Sequence, residues 1–567
     1  MRECDVVVVG SGAAGMTAAL TAAHRGLAVI VVEKASHFGG STARSGGGLW
    51  IPNNSVLRRA GVADSPKAAA AYLTHLLGDS VSEPRRRALL GHGPAMLDLV
   101  RRLTPLEFAW VPGYADYYPE LPGGMPQGRT IEPKPLDGHL LGDELRRLNP
   151  PYISSPGGLT VTAADYRWLN LVARHPRGAL KVGRVLGRRV LGALRRQHTL
   201  VMGQALAAGL RAGLRARDVP LWLDTPLLEL CRDGERVTGV RVRHGRTEEE
   251  LRARRGVVLA CGGFEHNAAM RERYQRAPIG TEWTTGAAEN TGDGIVAGMA
   301  AGAAVDLMDD AWWGPSIPLS GGPYFCLSER TLPGCILVNG AGERFVNEAA
   351  PYVDAVHAMY DGHASGVSHV PSWLIADQRY RKRYTFAGLR PGQKFPGRWY
   401  KAGAVHTAAT LDELASTIGV PAAALRTTVT GFNAAARAGR DERFGRGDSA
   451  YDRYYGDPTN KPNPCLGPLE VAPFHAVRIV PGDLGTKGGL CVDERSRVLR
   501  EDGTVIPNLY AAGNVSASVM GHTYAGAGAT IGPAMTGGYL AALDLAAEVP
   551  DVVGEAARSE PTRGGAA

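Results

Sequence analysis

Residues 5–15 read DVVVVGSGAAG, four valines in a row running into a glycine turn. An unbroken apolar run of this kind predicts a strand covered on both faces, as in a parallel sheet. An alanine-rich stretch from Met16 to Arg25 then predicts a helix that stops at Gly26. A second apolar run, Ala28 to Val32, predicts another strand ending at Glu33. The strand-then-glycine pattern returns twice, as GVVLACGG over 256–263 and as LYAAGN over 509–514. After the second, a glycine-rich turn opens a further helix. Prolines and glycines cluster at 111–138, 313–323, 388–397 and 456–468, which reads as loops around a cleft. Strands alternating with helices make this an α/β chain.

The glycine positions bring in chemistry. Gly10, Ser11, Gly12, Ala13, Ala14 and Gly15 form a dinucleotide turn, with close backbone approach to a pyrophosphate at a helix N-terminus. Glu33 stands where an acidic residue binds ribose hydroxyls and repels a 2′-phosphate. Lys34 leads into HFGGSTARSGGGLW, whose Gly40, Ser41, Thr42, Ser45, Gly46 and Gly47 continue the small-residue loop past the ribose site. NAD has no need of this second cluster. FAD does, because its ribityl chain and ring system extend beyond the pyrophosphate. Ala260 and Gly262, then Gly513, Asn514, Gly528, Thr530 and Ile531, supply the remaining segments suited to that one extended ligand. The expected architecture is a discontinuous Rossmann-like FAD-binding domain, residues 1–308 and 482–567, with an inserted α+β catalytic and capping domain over 309–481. The tail from about Val552 lacks an apolar pattern and is expected to be disordered.

At 567 residues the chain exceeds one compact core. No leader sequence or apolar run of about twenty residues stands out. Seven scattered cysteines without CxxC spacing read as reduced thiols in the cytoplasm, with no metal ligation. The net charge of +8 is unevenly placed: a dozen Arg and Lys and no carboxylate lie between Tyr166 and Arg217. That stretch reads as a solvated helical face, or, centred on Arg174–Arg196, as peripheral contact with anionic lipid. No base-reading motif accompanies it, which argues against nucleic acid.

Five segments, VPGYADYYPELPGG (111–124), LSERTLPGCILVNGAGERFVNEAAPYVDA (327–355), YDRYYGDPTNKPNPCLGPL (451–469), PGDLGTKGGL (481–490) and GHTYAGAGATIGPA (521–534), resemble 3-ketosteroid Δ1-dehydrogenases. That family belongs to the flavoprotein superfamily of fumarate reductase and succinate dehydrogenase. The resemblance implies Tyr117, Tyr352 and Tyr524 as the catalytic phenols, Gly528 as a backbone donor, and Tyr114 as an aromatic wall. Ala525 and Ala527 stand where prolines are expected in close relatives, which would leave that turn less stiff. Fumarate-reductase relatives attach flavin through a histidine; here Ser41 takes that place, near His37, so FAD is expected to be non-covalent.

The residue types suit the chemistry. Desaturating a ketone next to its carbonyl removes a proton at C2 and a hydride at C1, the hydride passing from the α face to the flavin and the proton leaving opposite. Donors at the C3 oxygen, Tyr524 and the Gly528 N–H, acidify that proton. A lone phenol titrates near 10 and is a poor base; Tyr117 beside Tyr352 would lower it. Phe325, within the aromatic group Trp312, Trp313, Pro315, Ile317, Pro318 and Tyr324, reads either as a wall for a flat apolar ligand or as domain packing. The expected partners are a 3-ketosteroid and a quinone or other respiratory acceptor. The alternatives are a C4–C5 ketosteroid desaturase, a fumarate-type reductase, or a flavin-holding steroid-binding protein.

Overall fold

The valine run alternates between two cores. Val6 and Val8 enter the core shared with the first helix, while Val7 and Val9 enter the core on the opposite side. Successive strand side chains point to opposite faces, so a run apolar at every position is what a sheet covered on both sides requires. In the computed structural model, which describes residues 2–152 and 160–546, this strand is Arg2–Val9 and lies near the centre of an eight-stranded sheet. It pairs in parallel with Val29–Val32 (Val6 opposite Val29, Val9 opposite Val32) and with the long strand Thr247–Leu259. That strand pairs in parallel with Val505–Ala511, through Val257 opposite Leu509 and Leu259 opposite Ala511. The sheet is thus built from both ends of the chain.

The first helix runs Ala13–His24, three residues earlier than the alanine pattern indicated, because Gly12 already serves as its N-cap. The carboxyl-terminal helix Ile531–Leu545 packs beside it. Between strand Val505–Ala511 and that helix lies a long irregular loop carrying Tyr524 and Gly528.

A second, antiparallel sheet comes from the middle of the chain. Its path runs Tyr324–Phe325, Ala311–Ile317, Phe474–Thr486, Ser372–Asp377, Cys335–Val338, with Val405–Ala408 also on Phe474–Thr486. The segment 313–323 is therefore not all loop: Gly314 and Pro315 lie inside a buried strand. Gly314 is needed there because a Cβ would collide with the Phe325 ring. Pro315 has no N–H to give, but its carbonyl accepts from Cys326 at 2.8 Å. Strand Phe474–Thr486 runs unbroken across residues 481–482. The tail after Val552 lies outside the described residues.

A buried ionic cluster ties this second unit together. Glu348 accepts from Arg344 at 2.7 and 2.8 Å and from Arg446 at 3.0 Å, and Arg344 also reaches Asp441 at 2.7 Å. Burial alone would raise the Glu348 carboxyl, but Arg344 and Arg446 overcome it and hold it at about 2. A carboxyl lowered in the folded state stabilises fully above the ordinary glutamate range and loses that contribution as pH falls through its folded value. Glu348→Gln is expected to cost about 3–5 kcal/mol at pH 7. In urea titrations, its difference from the unsubstituted protein should shrink as pH drops from about 4 towards 2.

Candidate active site

The glycine segments converge. Gly10 has φ +107°, and a Cβ there would collide with the Ala260 carbonyl, so the first turn lies directly on the end of strand Thr247–Leu259. Gly15 packs on Gly10, and Gly513 (φ +80°) approaches Ala14. Gly262 lies against Asn290, whose side-chain amide donates to Ser41 Oγ at 3.0 Å; Ser41 also accepts from Ala287 N–H at 2.9 Å. Thr42 Oγ1 accepts from the Ala13 N–H at 3.0 Å. Ser45 closes the short helix Gly40–Arg44 by donating to the Thr42 carbonyl, Gly46 lies at its exposed bend, and Gly47 abuts the Met202–Gly203 backbone.

Three features test whether these residues fit FAD. The first helix starts at Gly12 with no side-chain cap and no acidic residue in its first turn, which leaves its dipole open to a pyrophosphate. Glu33 is partly buried and, among the described residues, its carboxyl accepts from uncharged donors: Ser11 N–H (3.0 Å), Ser11 Oγ (2.6 Å) and Ala35 N–H (2.9 Å). Burial pushes its carboxyl up, and no cation pairs with it among the described residues. A carboxylate so placed suits ribose hydroxyls. Lys34 turns away to Asp293 at 2.6 Å, so it supports the loop. The residues fit the cofactor.

The phenols form a second centre. Tyr117, Tyr352 and Tyr524 are all buried, with ring centroids 5.1–5.6 Å apart. Tyr117 donates to the Tyr352 hydroxyl at 2.8 Å. Tyr352 opens the helix Tyr352–Ala364, and Tyr117 comes from the amino-terminal third, 235 residues away. The Tyr524 oxygen accepts from Thr530 at 2.9 Å and is also approached by the Tyr352 hydroxyl and the Gly528 N–H. Gly528 has φ +93°, and a Cβ would collide with Gly48, which lets this loop sit directly on the Gly46–Gly48 turn. Burial pushes the Tyr352 phenol well above 10; the Tyr117 hydrogen bond pulls the other way and loses. The lowering expected from Tyr117 is present in direction, and burial of the ring outweighs it.

Tyr114 stacks on Tyr454 at 4.4 Å and accepts from Tyr455 at 3.1 Å. Phe325 meets the Tyr352 ring edge-on at 5.1 Å. Trp312 packs on Tyr524 at 4.8 Å and donates to Asn514 Oδ1 at 3.1 Å, linking the phenols to the strand-end Asn. The sequence reading missed a supporting group. Lys487 is buried and donates to Asp310 (3.0 Å) and to the Thr523 carbonyl (2.8 Å), beneath Tyr524. Asp310 also meets His357 at 2.9 Å and accepts from Trp313 at 2.6 Å. Burial would raise Asp310, but Lys487 and His357 keep it at about 2. Only the TKGG run hinted at this lysine.

Comparison with known proteins agrees with this geometry. The chain matches the FAD binding domain family over residues 5–531, and fold and glycine turns together define a flavoprotein that binds FAD. It is 56% identical over 555 residues to the 3-oxosteroid 1-dehydrogenase of Mycolicibacterium smegmatis, spanning 96% of this chain and 98% of that one. The Mycobacterium tuberculosis enzyme of the same name is likewise 56% identical, over 96% and 99%. A crystal structure of 3-ketosteroid delta1-dehydrogenase from Sterolibacterium denitrificans, in complex with 1,4-androstadiene-3,17-dione, superposes with a TM-score of 0.92. It is 44% identical, covering 96% of this chain and all of that one. The chain belongs to the 3-oxosteroid 1-dehydrogenase family.

Replacing Glu33 by leucine should weaken FAD binding about ten- to a hundredfold, the range for losing a charged hydrogen-bond partner. Flavin fluorescence titration of apoprotein measures this; unchanged affinity would remove Glu33 from the ribose site.

Proposed function

We propose that this protein is an FAD-dependent 3-oxosteroid 1-dehydrogenase that introduces a C1–C2 double bond into 3-ketosteroids during steroid breakdown. The observation that carries this reading is the Tyr117–Tyr352 hydroxyl pair held against Tyr524 and Gly528. Residues 1–308 and 482–567 would serve as the FAD-binding unit, with 309–481 capping it. FAD, when bound, supplies the acceptor for the hydride that leaves C1. It would be held non-covalently by the Gly10–Gly15 turn, Glu33, the Ser41–Gly47 loop, Ala260–Gly262, Gly513–Asn514 and Gly528–Ile531.

The protein groups do the rest. Tyr524 receives a hydrogen bond from Thr530, which leaves its own O–H to donate to the C3 ketone beside the Gly528 N–H. Two donors on that oxygen stabilise the enolate-like charge that builds as the C2 proton leaves. Tyr352, once ionised, takes that proton and returns to the neutral phenol, and the Tyr117 hydrogen bond stabilises the phenolate that acts as base. Tyr114 and Phe325 wall the flat ring system. Electrons then leave to a quinone or other respiratory carrier, since the chain shows one dinucleotide turn.

A contact with membrane is the second half of the reading. Helix Pro176–Leu194 exposes Leu180, Leu186, Val190, Leu191 and Leu194, the last 77% exposed. At 3.6 residues per turn these fall within one arc of about 140°. Arg177, Arg184 and Arg195 border it. Lys181 and Arg188 are tied to Asp165 on the neighbouring helix Ala163–Leu169, but Arg184, Arg189 and Arg195 make no ion pair among the described residues. Such a face suits anionic lipid at the cytoplasmic surface. Helix Ala163–Leu169 carries Tyr166, so this surface adjoins the aromatic walls. No helix among the described residues is long and apolar enough to cross a membrane.

Turnover of androst-4-ene-3,17-dione to its 1,2-dehydro product tests the activity; its absence in the FAD-loaded protein sinks the assignment. Tyr352→Phe should lower kcat by about 10²- to 10⁴-fold and Tyr524→Phe by about 10²- to 10³-fold. Because Tyr352 titrates well above 10 when folded, log kcat should climb with pH and reach no plateau below about pH 10. For the membrane contact, Leu180→Glu with Leu194→Glu should abolish pelleting with phosphatidylglycerol vesicles while leaving turnover of dispersed steroid intact.

A further inference from the structure

The phenol proposed as base stands at the very end of a helix. Tyr352 is the first residue of helix Tyr352–Ala364, and the N-cap, Pro351, offers it no side-chain hydrogen bond. The first N–H groups of a helix have no partner within it, so an end without a side-chain cap is held less firmly. A base in that place must still be held close to one geometry, because small displacements of reacting groups cost large factors in rate. The next turn is tied by His357 to Asp310 at 2.9 Å, which leaves the first turn to be fixed by something else.

Among the described residues, two hydrogen bonds join that turn to the loop around Tyr117. One is the Tyr117–Tyr352 pair at 2.8 Å. The other has no part in the mechanism above: the Tyr118 hydroxyl donates to Asp354 Oδ1 at 2.7 Å. Neighbours on the loop thus reach residues two apart on the helix, across 235 and 236 positions of chain. At about 100° per residue, Tyr352 and Asp354 project from the helix roughly 200° apart. The two bonds therefore take hold of the first turn from nearly opposite sides. One bond alone would let the turn pivot about it and swing the Tyr352 oxygen; a second from the other side prevents that. The loop end is itself anchored, since the Tyr118 N–H donates to the Tyr72 hydroxyl at 3.3 Å and Tyr72 donates to the Ala525 carbonyl.

We infer that Tyr118 and Asp354 form a positioning clamp, whose bond fixes the first turn of helix Tyr352–Ala364 and so aims the Tyr352 oxygen at the proton it removes. The inference rests on the activity proposed above. Neither residue exchanges a proton with the steroid; both act through Tyr352.

A double-mutant cycle on the FAD-loaded enzyme, with androst-4-ene-3,17-dione as substrate, tests the clamp. Tyr118→Phe deletes one oxygen from a half-buried ring. It should lower kcat about tenfold with KM within about twofold, because a misaimed base slows the chemical step without loosening the ligand. In a Tyr352→Phe background there is no oxygen left to aim, and adding Tyr118→Phe should cost less than about twofold more. Asp354→Leu should match Tyr118→Phe, while Asp354→Asn keeps an acceptor oxygen for the Tyr118 hydroxyl and should restore most of the rate. Equal losses from Tyr118→Phe in both backgrounds, no loss in the first, or an asparagine variant as slow as the leucine one would overturn the clamp. Should Tyr352→Phe turn over too slowly to time, the kcat-against-KM split and the two Asp354 variants decide. An unsubstituted enzyme that fails to dehydrogenate the steroid would remove the proposed activity itself, a result distinct from any of these.

Discussion

Four hydrogen bonds to the carbonyls of one loop hold the site in place. Ala525 O accepts from the Tyr117 N–H at 3.1 Å and from the Tyr72 hydroxyl at 2.7 Å. Ala527 O accepts from Thr130 Oγ1 at 2.8 Å, and Gly528 O from the Trp50 N–H at 3.1 Å. The donors all come from the first 130 residues and the acceptors from near the carboxyl end. Backbone carbonyls buried without partners would be costly, so these anchors fix the loop against the amino-terminal segment. One anchor uses Tyr117 itself, so the contact that fixes the loop also sets Tyr117 beside Tyr524. The stiffness that prolines would give at 525 and 527 is supplied here by bonds to the carbonyls, which alanine offers equally well.

Burial then decides the electrostatics. Enclosure raises the phenols of Tyr117, Tyr352 and Tyr524 alike, so the resting site is uncharged and matches a neutral, apolar ligand. Charge is tolerated only where donors are already aimed, at the Tyr524 and Tyr352 oxygens. Preorganised donors in a water-poor site act more strongly than in solvent. The Asp310–Lys487 ion pair, with His357 on the same carboxylate, supports this loop through the Lys487 hydrogen bond to the Thr523 carbonyl.

Much of this was legible along the chain, for identifiable reasons. The Val6–Val9 run and the turns at Gly10 and Gly513 are local signals: a strand covered on both sides must be apolar throughout, and a turn pressed on a neighbouring strand end must lack a Cβ. Tyr524 and Gly528 share one short motif. The Tyr117–Tyr352 pairing spans 235 residues and was legible only through resemblance. Lys487 and Asp310 are 177 residues apart and carry no periodicity, so nothing local announced their contact. The strand Ala311–Ile317 was hidden because Gly314 and Pro315 look like a turn. Its glycine answers a steric demand from Phe325, which becomes visible only after the sheet forms. That a Tyr117 hydrogen bond lowers the Tyr352 phenol follows from pair chemistry; the degree of enclosure, which opposes it, is a tertiary property.

What the cations are bound to separates this site from a dicarboxylate reductase. Clamping two carboxylates requires guanidinium or ammonium groups with donors left over. Near the phenols, Lys487 is held by Asp310 and Thr523 O, while Arg330 donates to three backbone carbonyls and keeps one terminal nitrogen without a partner among the described residues. Arg446 is spent on Glu348 and the carbonyls of Cys335, Arg330 and Leu332. An anionic ligand drawing on Lys487 or Arg446 would strip it from a buried carboxylate, leaving an uncompensated charge behind. A neutral ketone asks for nothing of the kind. In the function proposed above it needs two neutral donors and a flat apolar wall, the roles assigned there to Tyr524, Gly528, Tyr114 and Phe325. The preference for a neutral ligand would then follow as much from the pairing of Lys487 and Arg446 with carboxylates as from the tyrosines themselves.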